Sequence, residues 1–398
     1  MTHPLGIVVA GIGGLTLACA LEQRNIPFTL YEQAESFEAL GYGIQVSPNV
    51  ERVLTALGLT EKLEAIAHRC YGFELRSFAS DQTLIQWQLP KNQLYYQCRR
   101  ADLHQLLFDG LKDKSKLNFG TRLASYAQTA DRVALKFDGA SEVKVQALVG
   151  ADGVGSQTRR QLMVNDQHTK PNYAGYAAFR AILPWRSPYE ELAGQATVWL
   201  GKNHHVVAYP NGNLNHGEQW LNLVLVVKER QWQEEGWTIE VDKSLVAAEF
   251  QNQSRLLNRI LEDMIASPEP CYKWGLFTRP ALPFWSQNKV TLLGDAAHPM
   301  VPFQAQGAAM SIEDAYVLAQ CLQRHPKIET AFQQYENLRY QRATKMQKTS
   351  RKNADIFHAS GLKAIARDFV FKIVGAIAPN LMNLKSAWIY DYDVTKLI

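Results

Sequence analysis

A glycine-rich turn near the start of the chain has the spacing of a phosphate cradle. Residues 6–33 read GIVVAGIGGLTLACALEQRNIPFTLYEQ, which predicts a strand, a turn, a helix and a second strand that ends on an acid. In a full G-x-G-x-x-G motif the second glycine lets the backbone approach a pyrophosphate, and the third allows close helix packing. Gly11 and Gly14 occupy these two positions. With Gly13 beside them, they predict a helix N-terminus whose N–H groups bind phosphate.

Val9 stands where the motif has its first glycine. A branched side chain at this turn costs backbone freedom and crowds the pyrophosphate, so we expect a weakened dinucleotide site but not a lost one. The Cβ atom is tolerated if the backbone at Val9 stays in the extended β region. Restoring glycine is then expected to tighten dinucleotide binding.

Glu32 ends the second strand, where a ribose-binding carboxylate belongs. It can accept hydrogen bonds from ribose hydroxyls and would repel a 2′-phosphate, which favours FAD or NAD over NADP. Taken alone, the imperfect motif leaves a second interpretation open: an ordinary strand-to-helix turn followed by a solvated glutamate.

Two later stretches also pass from an apolar strand into a turn. LVGADGVGSQTRR (148–160) places Asp152 after a strand, and LLGDAAHPMVPFQAQGAAMSIEDA (292–315) places Asp295 at a strand end and Gly307 at a helix start. In this order and at these distances, the three stretches resemble the fingerprints of class A flavoprotein aromatic hydroxylases, which are single-component FAD monooxygenases. Further segments resemble the salicylate hydroxylase and 3-hydroxybenzoate 6-hydroxylase branch of that class: GYGIQVSPNVERVLTALGL, RRADLHQLL, SRKNADIFHASG and WIYDYD.

The resemblance implies how the chain would hold the ADP half of FAD. Gly11, Gly14 and Glu32 would bind it, and Arg100 would reach the phosphates or the ribitol chain. An alternative for Arg100 is an ion pair with Asp102 or a place on a solvated helix face.

The rest of the FAD site is implied in the same way. Asp295 would accept a hydrogen bond from a ribitol hydroxyl, and the helix that starts near Gly307 would direct its dipole at the flavin ring. Asp152 and Gly153 would support FAD from behind and shape the groove where a nicotinamide cofactor docks, unless Asp152 only forms an Asx turn. The residues implied near the flavin ring are Gln45, Pro302 and Gln306.

Only one ADP-binding βαβ unit is visible, so a second nucleotide has no Rossmann unit of its own. In the resembled class, NADH or NADPH is a transient electron donor that delivers hydride to FAD and leaves. The resemblance implies that O2 then forms a flavin C4a-hydroperoxide, which is attacked by the ring of a small phenolic or heteroaromatic acid.

The segment HHVVAYP (204–210) holds the predicted catalytic residues. A base near the substrate hydroxyl promotes ring hydroxylation, because a phenolate donates electron density to its ring better than a phenol. If the segment is a strand, His205 and Tyr209 share one face and line one pocket. In the resembled hydroxylases a His and a Tyr have this spacing, and the His, with an unperturbed pKa of roughly 6.5, is the base. The alternative is a surface histidine and a core tyrosine.

The sequence leaves the roles of two more side chains undecided. Arg180, in YAAFRAILP, could reach a substrate carboxylate or the flavin edge, but could equally be an outward strand arginine. His298, after the strand that ends at Asp295, could lie near the flavin, although a structural turn histidine is favoured.

Composition excludes several partners. The 398 residues carry 42 basic and 38 acidic side chains, a net charge of +4 without a basic stripe, so nucleic acid is not an expected partner. Five widely spaced cysteines without a CxxC pair predict neither disulfides nor a metal site and fit a reducing cytoplasm. We expect no secretory signal and no membrane span, because the apolar run DFVFKIVGAIAPNLMNL is interrupted by polar residues and proline and predicts a packing helix. A monomer or homodimer is expected.

The elements that position these residues fall into two groups. Both ends of the chain show buried strands followed by helices, whereas the stretch from about Tyr173 to Val227 alternates apolar and polar residues, as in an antiparallel sheet. We therefore predict a doubly wound α/β FAD-binding domain of βαβ type with an inserted antiparallel β-sheet substrate domain and a helical C-terminus. The expected bounds are 1–75, 99–170 and 280–365 for the FAD-binding domain, 76–98 and 171–279 for the substrate domain, and 366–398 for the C-terminal segment.

The predicted function is thus an FAD-dependent, NAD(P)H-consuming aromatic monooxygenase. One rival is a tailoring epoxidase or oxygenase of a larger secondary-metabolite ring, which would need a wider pocket and no base at His205. The other is a flavin-free scaffold, which only Val9 supports.

Overall fold

The computed structural model describes residues 3–37, 42–139, 141–163, 170–213, 219–232, 239–251 and 254–398. In chain order the strands are β1 (Leu5–Val8), β2 (Phe28–Tyr31), β3 (Gly43–Val46), β4 (His68–Arg69), β5 (Gly72–Ser77), β6 (Thr83–Gln88), β7 (Tyr96–Arg99), β8 (Leu117–Asn118), β9 (Leu123–Gln128), β10 (Val133–Phe137), β11 (Val143–Val145), β12 (Leu148–Gly150), β13 (Asn172–Pro184), β14 (Gln195–Leu200), β15 (His204–Asn211), β16 (Trp220–Lys228), β17 (Ile239–Glu240), β18 (Tyr272–Thr278), β19 (Ser286–Gln287) and β20 (Val290–Leu292). The helices are α1 (Ile12–Gln23), α2 (Pro48–Ala56), α3 (Thr60–Ile66), α4 (Arg100–Gly110), α5 (Gln157–Leu162), α6 (Lys243–Glu249), α7 (Arg255–Ala266), α8 (Gly307–Arg324), α9 (Ile328–Phe357), α10 (Leu362–Ile377) and α11 (Leu381–Tyr390).

The first sheet is the predicted nucleotide-binding layer. Its order is β19-β20-β12-β1-β2-β8, and neighbouring strands are parallel except at the β19 edge. Parallel strands need crossover connections, and α1 is the crossover from β1 to β2. Both β1 and most of α1 are buried in the main core. The strand, turn, helix and strand predicted for residues 6–33 are therefore confirmed.

The second sheet is the predicted antiparallel insertion. Its order is β17-β18-β13-β16-β15-β14-β5-β6, with β14 and β5 as the parallel pair. β5 pairs with β14 along its whole length, so the predicted border between residues 75 and 76 falls inside a strand, and the sheet already includes Gly72. The border was misplaced because β5 pairs with β14, a strand far along the chain, and local sequence patterns do not reveal such a pairing. The fold class itself is confirmed.

A small third sheet joins the two layers. Its order is β3-β7-β4, and β3 lies beside β16 of the large sheet, where the Gly43 N–H donates to Asn222 Oδ1 at 2.7 Å. A Cβ at position 43 would lie only 2.6 Å from Asn222 Cγ, so a side chain there would push the layers apart. The strands β9, β10 and β11 form a separate antiparallel meander before β12.

The C-terminal apolar run forms α10 and α11, but only part of it packs. Phe371 and Val374 contact the cluster of β5, β6 and β14. Large apolar side chains elsewhere on α10 and at the start of α11 remain exposed: Leu362, Ile365, Phe369, Val370, Ile373, Ile377, Leu381 and Leu384. The prediction of a packing helix is thus right for only part of this segment. In the described part of the chain, no helix is long and apolar enough to cross a bilayer.

A buried ion-pair cluster joins the last two long helices. The Arg339 guanidinium on α9 lies 2.6 Å from Glu313 Oε2 and 2.8 Å from Asp314 Oδ1 on α8, and all three side chains are 0% exposed. Glu313 also accepts from Arg342 at 2.8 Å and from Asn49 Nδ2 at 2.6 Å. Burial would raise the pKa of both carboxyl groups, but the facing cations bring them below their usual range.

We expect Arg339→Met to lower the free energy of unfolding by about 3–5 kcal/mol, because it leaves two buried carboxylates without their shared cation. Urea unfolding at pH 7 measures the loss. The control is Arg259→Met, whose ion pairs with Glu262 and Asp263 involve a half-exposed guanidinium and should cost about 1 kcal/mol or less. Equal losses in the two variants would contradict the cluster's structural role.

Candidate active site

A cavity of about 810 Å³ is lined by both main layers. At one end it meets Gly11, Gly13 and the charged side chains of Arg100 and Asp295. At the other end its wall is one face of the large antiparallel sheet, largely apolar. The cavity therefore combines the surroundings of a phosphate and sugar chain with those of a flat ring.

The glycine turn leaves open space where a ligand would approach. A Cβ built at Gly11 meets no atom within 4 Å. At Gly14 it would lie 2.1 Å from the Val9 carbonyl oxygen, and at Gly13 it would lie 2.6 Å from Leu293 Cδ2. Gly14 and Gly13 therefore serve packing of α1, and Gly11 keeps the approach clear, as the motif predicts. This cradle fits the pyrophosphate of a dinucleotide.

The backbone at Val9 differs from the expectation. Its φ is +127°, outside the extended region and in a range that suits glycine. The turn is fixed by its surroundings: the Ala10 N–H donates to Glu32 Oε2 at 2.8 Å, and Ala151 N–H donates to the Val8 carbonyl. A β-branched residue held there carries strain of order 1–3 kcal/mol.

Glu32 is not a solvated glutamate. Only 6% of it is exposed, and its second carboxylate oxygen accepts from the Ala34 N–H at 2.9 Å. Glu32 thus braces the turn at Val9 and the end of β2 together. Its predicted contact with a ribose stays a prediction.

Arg100 and Asp295 both line the cavity, and their opposite charges attract each other. Burial raises the pKa of Asp295, and Arg100 acts in the opposite direction. Burial lowers the pKa of Arg100, and Asp295 opposes that shift. Asp102 pairs with Arg99 at 2.8 Å, so it is not the partner of Arg100. The structure thus brings a cation for phosphate and a carboxylate for a hydroxyl to one place.

Three residues predicted near the flavin ring line the cavity: Gln45, Pro302 and Gly307. Gly307 is the first residue of α8, so the positive end of that helix meets the cavity. Gln45 Oε1 accepts from the Tyr95 hydroxyl, which fixes the amide beside Tyr209.

Two predicted residues lie behind the cavity wall. The Gln306 side chain is 1% exposed and donates to Ser47 Oγ at 3.0 Å, so it holds the loop before α8. The Asp152 carboxylate accepts from Ser156 Oγ at 2.5 Å and from the Thr158 N–H at 2.9 Å. Asp152 therefore braces the start of α5 together with the N-cap residue Ser156, and the residue after Asp152, Gly153, lines the cavity instead. Cofactor contacts of both side chains remain predictions.

The predicted face of β15 is confirmed. His205, Val207 and Tyr209 all line the cavity. Sheet register adds a third polar residue: Val207 lies opposite Val224 of β16, which lies opposite Arg180 of β13. Arg180 therefore points to the same side as the other three and lines the same cavity.

His205 and Tyr209 are both buried, which argues against the surface histidine alternative. His205 Nδ1 lies 2.9 Å from His358 Nε2. Burial, followed by the charges of His358 and His204, lowers the pKa of His205 well below its usual value. Burial raises the pKa of Tyr209 despite the nearby cation Arg180.

Sequence patterns assigned no catalytic role to Arg180 or to His358. The Arg180 guanidinium lies over the Trp274 ring at 4.5 Å and the Tyr42 ring at 5.5 Å. Its direction follows from the pairing of β13, which a single sequence does not show.

His298, the other residue whose role the sequence left open, is buried and lies 2.5 Å from Asp314 Oδ2, so it belongs to the ion-pair cluster.

Family and relatives together identify the chain as an FAD-dependent monooxygenase of aromatic compounds. Residues 2–350 match the family model described as FAD binding domain, and the chain belongs to that family. It is 34% identical over 98% of its length to a 3-amino-4-hydroxybenzoate 2-monooxygenase of Streptomyces platensis, covering 96% of that protein. It is 32% identical over 88% to a 6-hydroxynicotinate 3-monooxygenase of Pseudomonas fluorescens, covering 90% of that protein. A salicylate hydroxylase substrate complex has the same fold, with a TM-score of 0.82, 22% identity and coverage of 99% and 96%.

These findings confirm the resemblance to class A flavoprotein hydroxylases and the FAD cofactor. They favour an enzyme over the flavin-free scaffold. The donor set of the cavity agrees with FAD, since a clear approach at Gly11, a cation at Arg100 and a carboxylate at Asp295 suit its phosphates and its ribitol chain.

We expect Val9→Gly to raise the free energy of unfolding by about 1–3 kcal/mol and to tighten FAD binding, because glycine relieves the strain at positive φ and removes a side chain from the turn. Thermal unfolding and titration of apoprotein with FAD measure the two effects. Val143→Gly, in strand β11, is the matched control and should destabilise. Unchanged or weaker FAD binding in Val9→Gly would show that our account of this position is wrong.

Proposed function

We propose that this enzyme hydroxylates the ring of a small phenolic or hydroxypyridine carboxylic acid, with O2 as co-substrate and NADH or NADPH as electron donor. One observation carries the proposal: a buried imidazole and a guanidinium share one apolar face of the cavity. The names of the two relatives, on 3-amino-4-hydroxybenzoate and 6-hydroxynicotinate, support this substrate class, since both are hydroxylated aromatic acids.

FAD, held by Gly11, Arg100, Asp295 and the N-terminus of α8, would supply the activation of oxygen. The chain's own task is to hold the ring, exclude water and remove a proton. Three valines on the same sheet face, Val207, Val224 and Val226, give the ring an apolar wall. Such a wall strengthens each charge interaction within the cavity.

His205 is the proposed general base. Its burial keeps the imidazole neutral at pH 7, so that a ring nitrogen can accept the proton of the substrate hydroxyl. The resulting phenolate is the more reactive form of the ring. Tyr209, four residues along the strand and beside Gln45, would contact the substrate or the flavin edge from the other side.

Arg180 is the proposed partner of the substrate carboxylate. Its cation lies against aromatic rings, and burying such a charge costs free energy that a bound carboxylate would offset. β13 and β15 are two strands apart, about 10 Å, and the register offsets Arg180 from His205 by two residues, about 7 Å. The side chains of Arg180 and His205 can therefore reach opposite substituents of one ring.

The defining experiment offers the purified holoenzyme four acids: 3-hydroxybenzoate, salicylate, 6-hydroxynicotinate and 3-amino-4-hydroxybenzoate. Oxidation of NADH and of NADPH, uptake of O2 and the mass of the product are followed for each. A product that has gained one oxygen atom, either with its carboxyl group retained or with that group lost as CO2, is expected with at least one of them, together with stimulated NAD(P)H oxidation. Failure of all four would overturn the proposed substrate class.

We expect His205→Gln to slow product formation at pH 7 by about 10²–10³-fold with an unchanged flavin spectrum, because the general base is lost. His204→Gln is the matched control, since His204 lies on the opposite face of β15 against Phe78 and should leave the rate within about twofold. Full activity of His205→Gln would favour the alternative of a tailoring oxygenase that needs no base.

We expect Arg180→Met to raise the KM of the acid by about 10- to 100-fold, because a charge-assisted hydrogen bond of about 1.5–3 kcal/mol is lost. Arg180→Lys should recover part of the affinity. Lys273→Met is the control, since Lys273 lies over the Phe179 ring at 5.6 Å and pairs with Glu229 away from the cavity. An equal effect on the matching phenol without a carboxylate would show that Arg180 acts on the flavin instead.

We also propose a cytoplasmic location. The five cysteines are buried and unpaired, which is consistent with a reducing compartment. The monomeric or homodimeric state and the choice between NADH and NADPH remain predictions from the resemblance.

A further inference from the structure

The base predicted on β15 has a second histidine behind it, and this histidine comes from a distant part of the chain. His358 follows the last residue of α9 and packs against the large sheet. The Tyr176 ring of β13 stacks on it at 4.3 Å, and the Phe303 ring, from the loop before α8, meets its face edge-on at 5.3 Å. The imidazole of His358 is thus held between β13 and the loop before α8.

The hydrogen bonds of His358 fix which nitrogen carries its proton. Nδ1 lies 2.9 Å from the Ala354 carbonyl oxygen, and a carbonyl can only accept. Nδ1 of His358 therefore carries the hydrogen, and in the neutral ring Nε2 is a bare acceptor. Burial holds the pKa of His358 at about 4, so the ring is neutral at pH 7.

The tautomer of His358 in turn determines the tautomer of His205. His358 Nε2 accepts at 2.9 Å from His205 Nδ1, so Nδ1 of His205 carries that ring's hydrogen. The lone pair of His205 is then on Nε2, the nitrogen left for the cavity. We propose that His358 is a positioning residue that sets the tautomer of His205 and thereby makes His205 Nε2 the base for the substrate hydroxyl. This inference rests on the proposed function.

The proton transfer balances with these two rings alone. The substrate O–H bond breaks, a bond forms between that proton and His205 Nε2, and the electron pair stays on the phenolate oxygen. The positive charge then on His205 is shared through Nδ1–H with His358. His358 caps the C-terminus of α9, whose partial negative charge favours a cation there.

A neutral orienting group is unusual, because such histidines often pair with a carboxylate. Among the hydrogen bonds that the structure gives for the two rings in its described residues, none is to a carboxylate. His358 thus orients the base without placing a fixed negative charge beside it. The charged or titratable groups around the pair are His204 on β15, Lys228 on β16, Arg367 on α10 and Tyr176 on β13, with Asp355 on α9 acting on Tyr176.

The first test needs no substrate. Nitrogen-15 NMR of histidine-labelled holoenzyme at pH 7 should show two neutral imidazoles, His205 and His358, both protonated on Nδ1. In His358→Phe, which keeps a ring against Tyr176 but has no acceptor, the His205 ring should lose this tautomer. A charged His205, or one protonated on Nε2 in the unsubstituted enzyme, would overturn the proposal.

The second test uses whichever acid of the panel gives product. We expect His358→Phe to lower kcat at pH 7 by about tenfold or more with KM within about twofold. His358→Gln should recover part of kcat, since its amide oxygen can accept from His205 Nδ1. Both deficits should shrink at a pH where the substrate hydroxyl is already ionised. A uniform deficit at every pH would show a merely structural role.

The two proposals fail in different ways. If His205→Gln keeps full activity, the proposed base is wrong, whatever His358 does. If His205→Gln is slow while His358→Phe is as fast as the unsubstituted enzyme, the base stands and the positioning role is wrong. In the double variant, the two losses should not multiply, because His358 acts only through His205.

Discussion

The ion pairs of Arg339 with Glu313 and Asp314 are the constraint on which the cofactor end of the molecule depends. They fix α8 against α9 at full burial, where an unpaired charge would be far more costly than the pair. Through Glu313 the cluster reaches Asn49 at the start of α2, and through Asp314 it reaches His298. The start of α8 and the loop before it are thus held by charge pairs and not by apolar packing alone.

That arrangement explains how one cavity can have a polar end and an apolar end. Gly307 meets the cavity as the first residue of a helix anchored from behind, and Gln306 is tied inward to Ser47. Across from them, the large sheet presents valines with one imidazole and one guanidinium among them. The polar end is rigid because of ion pairs and glycine packing, whereas the sheet face is rigid because of strand register. A small aromatic acid would meet two surfaces that neither element could supply alone.

Much of this was predictable from local patterns. The βαβ start, the antiparallel insertion and the shared face of His205 and Tyr209 follow from periodicities of 3.6 and 2 residues, which a single sequence displays. The features that the sequence did not predict depend on the pairing of distant segments or on a backbone angle. The inward direction of Arg180 depends on three paired strands, and the contact of His358 with His205 joins residues 153 positions apart. The positive φ at Val9 is set by the turn around it, against the preference of valine itself.

The strand order of the parallel sheet has a consequence for how the protein is made. Gly6 of β1 pairs with Leu148 of β12, and Leu148 pairs in turn with Val290 of β20. During synthesis the first strand must wait for two later thirds of the chain before its sheet is complete. Contacts of such long sequence separation form slowly and leave apolar edges open meanwhile. The parallel sheet is therefore complete only once residues up to Leu292 have been made, and the polar end of the cavity, which includes Gly307, is assembled only after that point.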